Sequence, residues 1–286
     1  AVTTLANAVE RELKLSGLSI AGSATDGSLF QSLQGMWLTQ MGENQKEKEV
    51  IESEVEATEP QAQRRGHGFS YWYQLGFDYW EDEDNCKCNV DGVLGGFGHI
   101  SPSDIEGSKS FLSELRSIRP SMGDERAADG GAGIGRVSKD LLLPQYDEVD
   151  LIEQSPRLLA AAPRFIGKHA ARANCMCMGL QDFHPEPEAY DLIWIQWVVG
   201  HLADVDFVKL LKRCRAGLNR DGVLVIKDNT CDEAGKAFVL DSEDSSLTRS
   251  VPYYRSLFRQ AGMQVVLQKD ASLQEEIFPV YFFALE

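Results

Sequence analysis

A glycine-rich segment at residues 129–136, DGGAGIGR, has the composition of a loop that holds a small ligand against the backbone. Gly131, Gly133 and Gly135 fall at alternate positions, with Asp129 before them. Glycine lets the backbone approach a ligand closely, and a helix that begins after such a loop offers free N–H groups and the positive end of its dipole. A dinucleotide fingerprint would place its third glycine at position 136, where Arg136 stands instead. The spacing therefore disfavours a nicotinamide-dependent reductase.

Alternate glycines after an acid resemble the S-adenosylmethionine loop of class I methyltransferases, and residues further along the chain fit the same site. Arg136 is expected to pair with the methionine carboxylate, and Glu153, about 20 residues after the loop, to bind the ribose hydroxyls. Leu180 and Gln181 follow the third predicted strand, where adenine is usually held, and Gln196 would face the amino-acid part. The predicted cofactor site therefore comprises Gly131, Gly133, Arg136, Glu153, Leu180, Gln181 and Gln196.

The elements that must position these residues alternate between strand-like and helix-like segments after residue 127. This alternation predicts an α/β fold of the Rossmann-like, class I methyltransferase type, with a mostly parallel seven-stranded sheet and helices on both faces. We expect a first strand that ends at Asp129, further strands at 148–152, 174–178, 190–198, 223–227, 264–267 and 278–285, and helices at 135–143, 156–162, 204–217 and 253–261.

The organisation of the chain follows from changes in its composition. Residues 1–65 are polar and predict a mobile N-terminal extension, with one short amphipathic helix at 28–41. The methyltransferase domain is expected over 66–286. Within it, 66–120 would supply substrate-covering helices and a glycine-rich segment, and 121–286 the Rossmann-like core, interrupted by a polar, irregular insertion at 228–248.

The net charge of −16 argues against binding to nucleic acid or to anionic membranes, because both depend on Lys and Arg, and it suits a cationic partner. The sequence contains no apolar run of about 18 residues, so it predicts no membrane span. The first ten residues lack the features of a secretory signal. The cysteine pairs 86/88 and 175/177 are spaced too closely for a zinc site, and the second pair lies in a strand where cysteine acts as a small apolar residue. We therefore expect a reduced protein of the cytoplasm or nucleus with no metal site.

Five phrases carry a more specific resemblance. They are VDGVLGGFGHIS at 90–101, GAGIGR at 131–136, GLQDF at 179–183, IWIQWVVGHL at 193–202 and IKDN at 226–229. Together they resemble the eukaryotic α-N-terminal protein methyltransferases, which methylate the terminal amine of proteins that begin Xaa-Pro-Lys or Xaa-Pro-Arg. The resemblance covers roughly residues 70–286 and leaves the first 65 outside it.

This resemblance implies a role for each matching residue. His201 and Asp244 match the family's proton-handling pair, and Asn229 would bond the first peptide group of the substrate. Asp241, three residues before Asp244, would help to receive the Lys or Arg at the third substrate position. The second position, a proline, needs an apolar slot, which the resemblance assigns to Trp80, Leu94, Ile100 and Trp197. No step of such a transfer requires a metal ion.

The sequence departs from the family pattern at three positions, and it leaves other methyl acceptors possible. Gly130 replaces a larger residue and is expected to loosen the turn, Glu153 replaces a shorter acid, and Phe278 stands where relatives have a tyrosine near the substrate. The same cofactor site would also serve a small-molecule amine, a lipid headgroup or a lysine side chain as the acceptor. The acidic insertion and the apolar slot favour a cationic peptide, and only the resemblance specifies its N-terminus. A non-catalytic binding module is a further reading, which the presence of His201, Asn229 and Asp244 disfavours. The sequence predicts no oligomeric state.

Overall fold

The structure is a computed structural model that describes residues 70–231, 237–241, 243–271, 273 and 278–286. The chain divides into two units, Ala1–Trp72 and Tyr73–Glu286, and almost all of the described residues belong to the second. The predicted extension over 1–65 and its helix at 28–41 lie outside the described residues.

The centre of the described chain is a seven-stranded sheet. Its strands are β1 (Arg126–Gly130), β2 (Glu148–Glu153), β3 (Ala173–Cys177), β4 (Tyr190–Gln196), β5 (Leu218–Asn229), β8 (Val265–Asp270) and β9 (Val280–Leu285), while β6 (Phe238–Asp241) and β7 (Ser246–Arg249) form a separate hairpin. The order is β3-β2-β1-β4-β5-β9-β8, and β9 is antiparallel to both of its neighbours. The predicted, mostly parallel seven-stranded sheet is therefore confirmed.

The helices are α1 (Ser70–Glu81), α2 (Val90–Val93), α3 (Ser101–Ile118), α4 (Pro156–Ile166), α5 (Asp204–Gly217) and α6 (Val251–Gln260). Short 3-10 helices lie at Gly98–Ile100, Gly167–Arg172, Leu180–Asp182 and Val199–His201. Helix α4 begins where the sequence predicts, because Ser155 caps its N-terminus and Pro156 opens its first turn. Within the described ranges, no helix combines the length and the apolar character that crossing a membrane requires.

Three predicted elements differ from those observed. The helix expected at 135–143 is a π-helical segment, Ser138–Leu142. Strand β5 is longer than the expected 223–227 because its first residues pair with the start of β4. The insertion at 228–248, expected to be irregular, contains β6 and most of β7, since residues 238–241 and 246–249 pair as an antiparallel hairpin.

Different helices cover the two faces of the sheet, and they pack on it through apolar side chains. On one face Phe111 of α3 stacks on Phe282 of β9, with ring centroids 4.4 Å apart. On the other face the next residue, Phe283, meets Phe258 of α6 at 5.3 Å. Strand β4 is buried along its whole length, as its apolar run predicts for a strand covered on both faces.

The edge strand β3 corrects one expectation from the sequence. Cys175 and Cys177 are exposed rather than packed as small apolar residues. The reason is the position of β3, which ends the sheet and has a neighbour on one side only. All six cysteines are free thiols, and the described residues contain no group of side chains that could hold a metal ion.

Helix α1 is fixed to the start of α5 by one tyrosine. The hydroxyl of Tyr73 donates to Asp206 Oδ2 at 2.8 Å and accepts from the backbone N–H of Ala203 at 3.1 Å. This contact sets the position of the far end of α1, which carries Trp80.

A fully buried ion pair joins β7 to α5. Arg249 contacts Asp204 Oδ1 at 2.8 Å, and neither side chain is exposed. Its guanidinium also donates to the backbone oxygens of Val199 at 3.0 Å and Leu202 at 2.6 Å. One side chain therefore holds the hairpin, the turn Val199–His201 and helix α5 together.

We expect Arg249→Met to lower the free energy of unfolding by about 3–5 kcal/mol, because it leaves the carboxylate of Asp204 buried without its cation. Urea denaturation measures this change. The double variant Arg249→Met/Asp204→Asn is the control, and it should recover part of the loss. A single variant within about 1 kcal/mol of the wild type would contradict this role for the pair.

Candidate active site

The glycine turn after β1 has a backbone that other residues would not tolerate. Gly131, Gly133 and Gly135 have positive φ angles of 75°, 56° and 79°, a region that favours glycine. A Cβ atom on Gly131 would lie 2.7 Å from the side chain of Val198. Gly130 does not loosen this turn, because it is the last residue of β1 and pairs with strands on both sides. The turn therefore presents bare backbone at the carboxyl edge of the sheet.

Glu153, at the end of β2, lies directly against this turn. Its Oε2 accepts a hydrogen bond from the backbone N–H of Gly133 at 2.9 Å, and its Oε1 accepts one from Ser155 at 2.8 Å. Burial raises the pKa of this carboxyl, and the backbone N–H groups oppose the shift. Because a carboxylate offers about four lone-pair sites, both oxygens keep the capacity to accept hydrogen bonds from ribose hydroxyls.

The turn after β3 brings Leu180 and Gln181 to the same edge. Both belong to the 3-10 helix Leu180–Asp182, and Leu180 is buried. Arg213 of α5 holds this turn, since its Nη2 donates to the backbone oxygens of Leu180 at 3.1 Å and Gln181 at 3.0 Å. The two residues therefore occupy a fixed position beside the glycine turn, as an adenine-binding role requires.

Arg136 and Gln196 meet on Asp104, a residue of α3 that the sequence did not identify. Arg136 Nη1 lies 2.7 Å from Asp104 Oδ2. Gln196 Nε2 lies 3.0 and 3.1 Å from the two carboxylate oxygens. Lys227 of β5 also donates to Asp104, and to the hydroxyl of Ser108 at 2.9 Å. A single acid in a polar helix gives no spacing signal, so this cluster emerges only from the fold.

The charges in this cluster do not cancel. Burial opposes ionisation of Asp104, but Lys227 and Arg136 outweigh it and hold the pKa of the carboxyl below its ordinary value. Burial lowers the pKa of Lys227 to about 8, with Asp104 acting in the other direction. Among the described residues, every hydrogen bond of Arg136 is made by Nη1, which leaves Nε and Nη2 for a ligand. The cluster therefore fits the carboxylate of a bound amino-acid group.

A cavity of about 820 Å³ lies beside the carboxyl ends of β4 and β5. Every residue predicted for the acceptor site lines it except Asp241, which is exposed at the end of β6. Phe278, where the sequence departs from the family pattern, also lines the cavity and is 42% exposed. The predicted residues that the fold brings together here are Trp80, Leu94, Ile100, Trp197, His201, Asn229 and Asp244.

The imidazole of His201 is held by hydrogen bonds at both ring nitrogens. Its Nε2 lies 3.1 Å from the indole Nε1 of Trp80, and its Nδ1 lies 3.0 Å from the backbone oxygen of Ser245. An indole N–H only donates and a carbonyl only accepts, so Nδ1 carries the proton and Nε2 accepts. His201 is therefore neutral in this arrangement.

Asp244, in the turn between β6 and β7, faces the same cavity. Its Oδ1 is buried and has no hydrogen-bond partner among the described residues. Burial raises the pKa of this carboxyl, and the nearby carboxylate of Asp241 adds to the rise. A buried acceptor without a donor is costly, so this oxygen is suited to a cationic or N–H-bearing ligand.

Trp197 and Asn229 form one unit at the base of the cavity. The indole Nε1 of Trp197 donates to Asn229 Oδ1 at 3.1 Å, and Trp197 has a positive φ of 52°. This conformation is uncommon for a bulky residue and is a form of strain found at functional sites. Because Oδ1 is used by the indole, the Nδ2 donor of Asn229 is the end that remains for a ligand.

Two further residues set the position of His201, and sequence reasoning missed both. Asp228 accepts from the backbone N–H of Val199 at 3.2 Å and from that of Asn229 at 2.8 Å, and burial raises its pKa to about 7. Arg249 bonds the carbonyl of Val199 from the opposite side. Asp228 belongs to the phrase IKDN and was within reach of the sequence, but Arg249 has no local signal.

The chain is similar to several known proteins. The model of the AdoMet dependent proline di-methyltransferase family matches residues 69–286. N-terminal Xaa-Pro-Lys N-methyltransferase 1 of Homo sapiens is 42% identical over 217 residues, which are 75% of this chain and 95% of the human protein. Alpha N-terminal protein methyltransferase 1 of Arabidopsis thaliana is 38% identical over 278 residues, 94% of this chain and 91% of the plant protein. The family model thus begins close to residue 70, as the resemblance predicts, while the alignment with the plant protein also includes residues before it.

Solved structures agree with this assignment. A SAM-dependent methyltransferase from Leishmania major superposes with a TM-score of 0.69 at 37% identity, over 75% of this chain and 83% of that one. The phosphoethanolamine N-methyltransferase 1 of Haemonchus contortus, at 15% identity and a TM-score of 0.58 over 74% of this chain and 48% of that one, shows the shared fold alone. The chain therefore belongs to the AdoMet-dependent proline di-methyltransferase family and is an enzyme that uses S-adenosylmethionine as its cofactor.

Proposed function

We propose that this chain methylates the α-amine of proteins whose N-termini read Xaa-Pro-Lys or Xaa-Pro-Arg. The observation that carries the proposal is the cavity in which His201 and Asp244 lie beside apolar and aromatic walls, with Asp244 Oδ1 lacking a partner among the described residues. The names of the human and plant relatives support this choice of acceptor. The net charge of −16 suits a cationic peptide.

The chemistry that the protein must perform is the removal of a proton from the amine. When bound, S-adenosylmethionine supplies an electrophilic methyl group on its sulfonium. A free α-amine has a pKa of roughly 7.7–8.0, so a modest base is sufficient to make it neutral. We assign Asp244 Oδ1 as the atom that contacts the ammonium group and takes its proton, because the Nε2 of His201 already accepts from Trp80. His201 then stands beside the amine as a neutral imidazole.

The rest of the cavity is proposed to hold the first residues of the peptide. Asn229 Nδ2 would donate to the first peptide carbonyl, which fixes the register of the amine. The proline ring would lie against Leu94, Ile100 and the indole of Trp197, with Trp80 at the entrance. Asp241, exposed outside the cavity, would meet the Lys or Arg side chain that follows. Positioning of this kind contributes to rate because the displacement requires the amine to be in line with the methyl group.

The cellular setting is also part of the proposal. Six free thiols are typical of a reducing compartment, which supports the cytoplasm or the nucleus. The acidic charge is unfavourable for binding nucleic acid or an anionic membrane surface.

Mass spectrometry of peptide products tests the proposed acceptor. We expect the protein and S-adenosylmethionine to add methyl groups to the peptide Ser-Pro-Lys-Arg and to leave its N-acetylated form unchanged. The peptide Ser-Pro-Gln-Arg is a matched control for the third position and should react more slowly. Equal methylation of the free and acetylated peptides would instead identify the lysine side chain as the acceptor.

The substitution Asn229→Lys should lower the turnover number at least about 100-fold while leaving the affinity for S-adenosylhomocysteine unchanged. The reason is that the new side chain breaks the bond to Trp197 and enters the part of the cavity assigned to the peptide. Steady-state kinetics and calorimetric binding measure the two effects. Asn219→Lys, at the opposite end of the same strand, is the control and should retain turnover. A collapse of cofactor affinity in Asn229→Lys would refute the assignment of Asn229 to the peptide.

Asp244→Asn should lower kcat/KM by roughly 100- to 10,000-fold, the range for loss of an acid–base group. Burial raises the pKa of Asp244, so its carboxylate becomes protonated at a higher pH than an exposed aspartate as the solution is acidified. The wild type should therefore lose activity on that acidic side, and the variant should lack this limb of its pH profile.

The variant Asp241→Asn serves as the control for Asp244→Asn because Asp241 is exposed and outside the cavity. It should raise KM for Ser-Pro-Lys-Arg with little change in kcat. An acidic limb that persists unchanged in Asp244→Asn would assign the base to another residue.

A further inference from the structure

We propose that Asp104 is the positioning residue for the methionine end of the cofactor, and that Asp104, Arg136 and Lys227 together form a carboxylate receptor with one excess positive charge. The inference rests on the proposed placement of the cofactor carboxylate at Arg136. It goes beyond that placement because neither Asp104 nor Lys227 belongs to the predicted cofactor site.

The geometry converges on the two oxygens of Asp104. Arg136 approaches from the helical turn after the glycine loop, Gln196 from the end of β4, and Lys227 from β5. Each is a donor, and a carboxylate is the one side-chain group that can accept from three donors at once. Asp104 is fully buried, so these bonds do not compete with water. Removal of this carboxylate would release the side chains that bear on the cofactor site.

The charges point to the kind of ligand that the cluster receives. Two cations share one carboxylate, and none of the three side chains is more than 5% exposed. A buried excess of positive charge is unfavourable unless a further anion compensates it. Asp129 is a buried acid on which Arg136 acts, but it hydrogen-bonds to the N–H and hydroxyl of Ser138 and not to either cation. Arg136 retains Nε and Nη2 for such an anion, since its bonds to the described residues use Nη1 alone. The methionine carboxylate of the cofactor has the required charge.

The aromatic ring of Trp197 adds a link to the acceptor cavity. The Nζ of Lys227 lies 5.5 Å from the centre of this ring, and the guanidinium carbon of Arg136 lies 5.7 Å from it. Both cations are within the distance at which a ring attracts a positive charge. The same indole bonds Asn229 in the cavity. The receptor therefore supports the wall on which the peptide is proposed to lie.

The test compares two ligands that differ at the methionine end. S-adenosylhomocysteine carries the amino-acid group, whereas 5′-methylthioadenosine lacks it. In the 286-residue chain, Asp104→Asn should weaken binding of S-adenosylhomocysteine by roughly 10- to 100-fold, the range for loss of charge-assisted hydrogen bonds. It should leave the affinity for 5′-methylthioadenosine within about 3-fold. Isothermal titration calorimetry measures both affinities.

Asp191→Asn is the matched control. Asp191 is also a buried carboxylate with several hydrogen bonds, but it lies at the start of β4, at the opposite edge of the sheet. This variant should change the two affinities by the same factor or leave both unchanged. An equal loss for both ligands in Asp104→Asn would reduce Asp104 to a structural role and overturn the inference.

Two further variants keep the outcome decisive. If Asp104→Asn does not fold, Lys227→Met replaces it as the test, because it keeps the side-chain volume and removes the excess charge. Lys227→Met should weaken the binding of S-adenosylhomocysteine alone. An equal loss of affinity for both ligands would overturn the proposal. Arg136→Met tests the underlying placement. If Arg136→Met selectively lowers the affinity for S-adenosylhomocysteine while Asp104→Asn does not, the inference on Asp104 fails and the cofactor placement stands. If Arg136→Met has no selective effect, the placement itself fails.

Discussion

The hydrogen bonds of a single buried carboxylate, that of Asp104, join the parts of this enzyme that must meet at its active site. Arg136, Gln196 and Lys227 come from three separate segments of the chain, and all of them donate to it. A buried charge is tolerated only where it is paired and hydrogen-bonded, so helix α3 must cover the sheet in one position. That position also places the glycine-rich segment before α3, and hence Leu94 and Ile100, over the acceptor cavity.

A second buried ion pair fixes the catalytic turn in the same manner. Arg249 holds the carbonyl of Val199, and Asp228 holds the N–H of the same residue from β5. His201 therefore sits on a turn that is anchored from both sides, and its ring is oriented by Ser245 and Trp80. Buried charges thus act in the same way at the cofactor edge and at the acceptor cavity, because in both places they join segments that lie far apart along the chain.

The sequence predicts the parts of this design that depend on local pattern. The order of strands and helices, the glycine turn and the buried run of β4 all follow from periodicity and turn chemistry, while the acceptor residues followed from resemblance. Asp104 and Arg249 do not, because their partners lie far along the chain and a single acid or arginine carries no period. The hairpin β6–β7 was missed because its two strands have only four residues each, and the exposure of Cys175 was missed because burial depends on which strand ends the sheet.

We propose that the peptide amine, and not a side chain, lies between Asp244 and the cofactor. A crystal structure of the complex with S-adenosylhomocysteine and Ser-Pro-Lys-Arg tests it most directly. We expect the α-amine to lie within hydrogen-bond reach of Asp244 Oδ1, with Asn229 Nδ2 bonded to the first peptide carbonyl. A peptide bound with its lysine side chain toward the sulfur atom, and its α-amine in solvent, would rule out this binding mode.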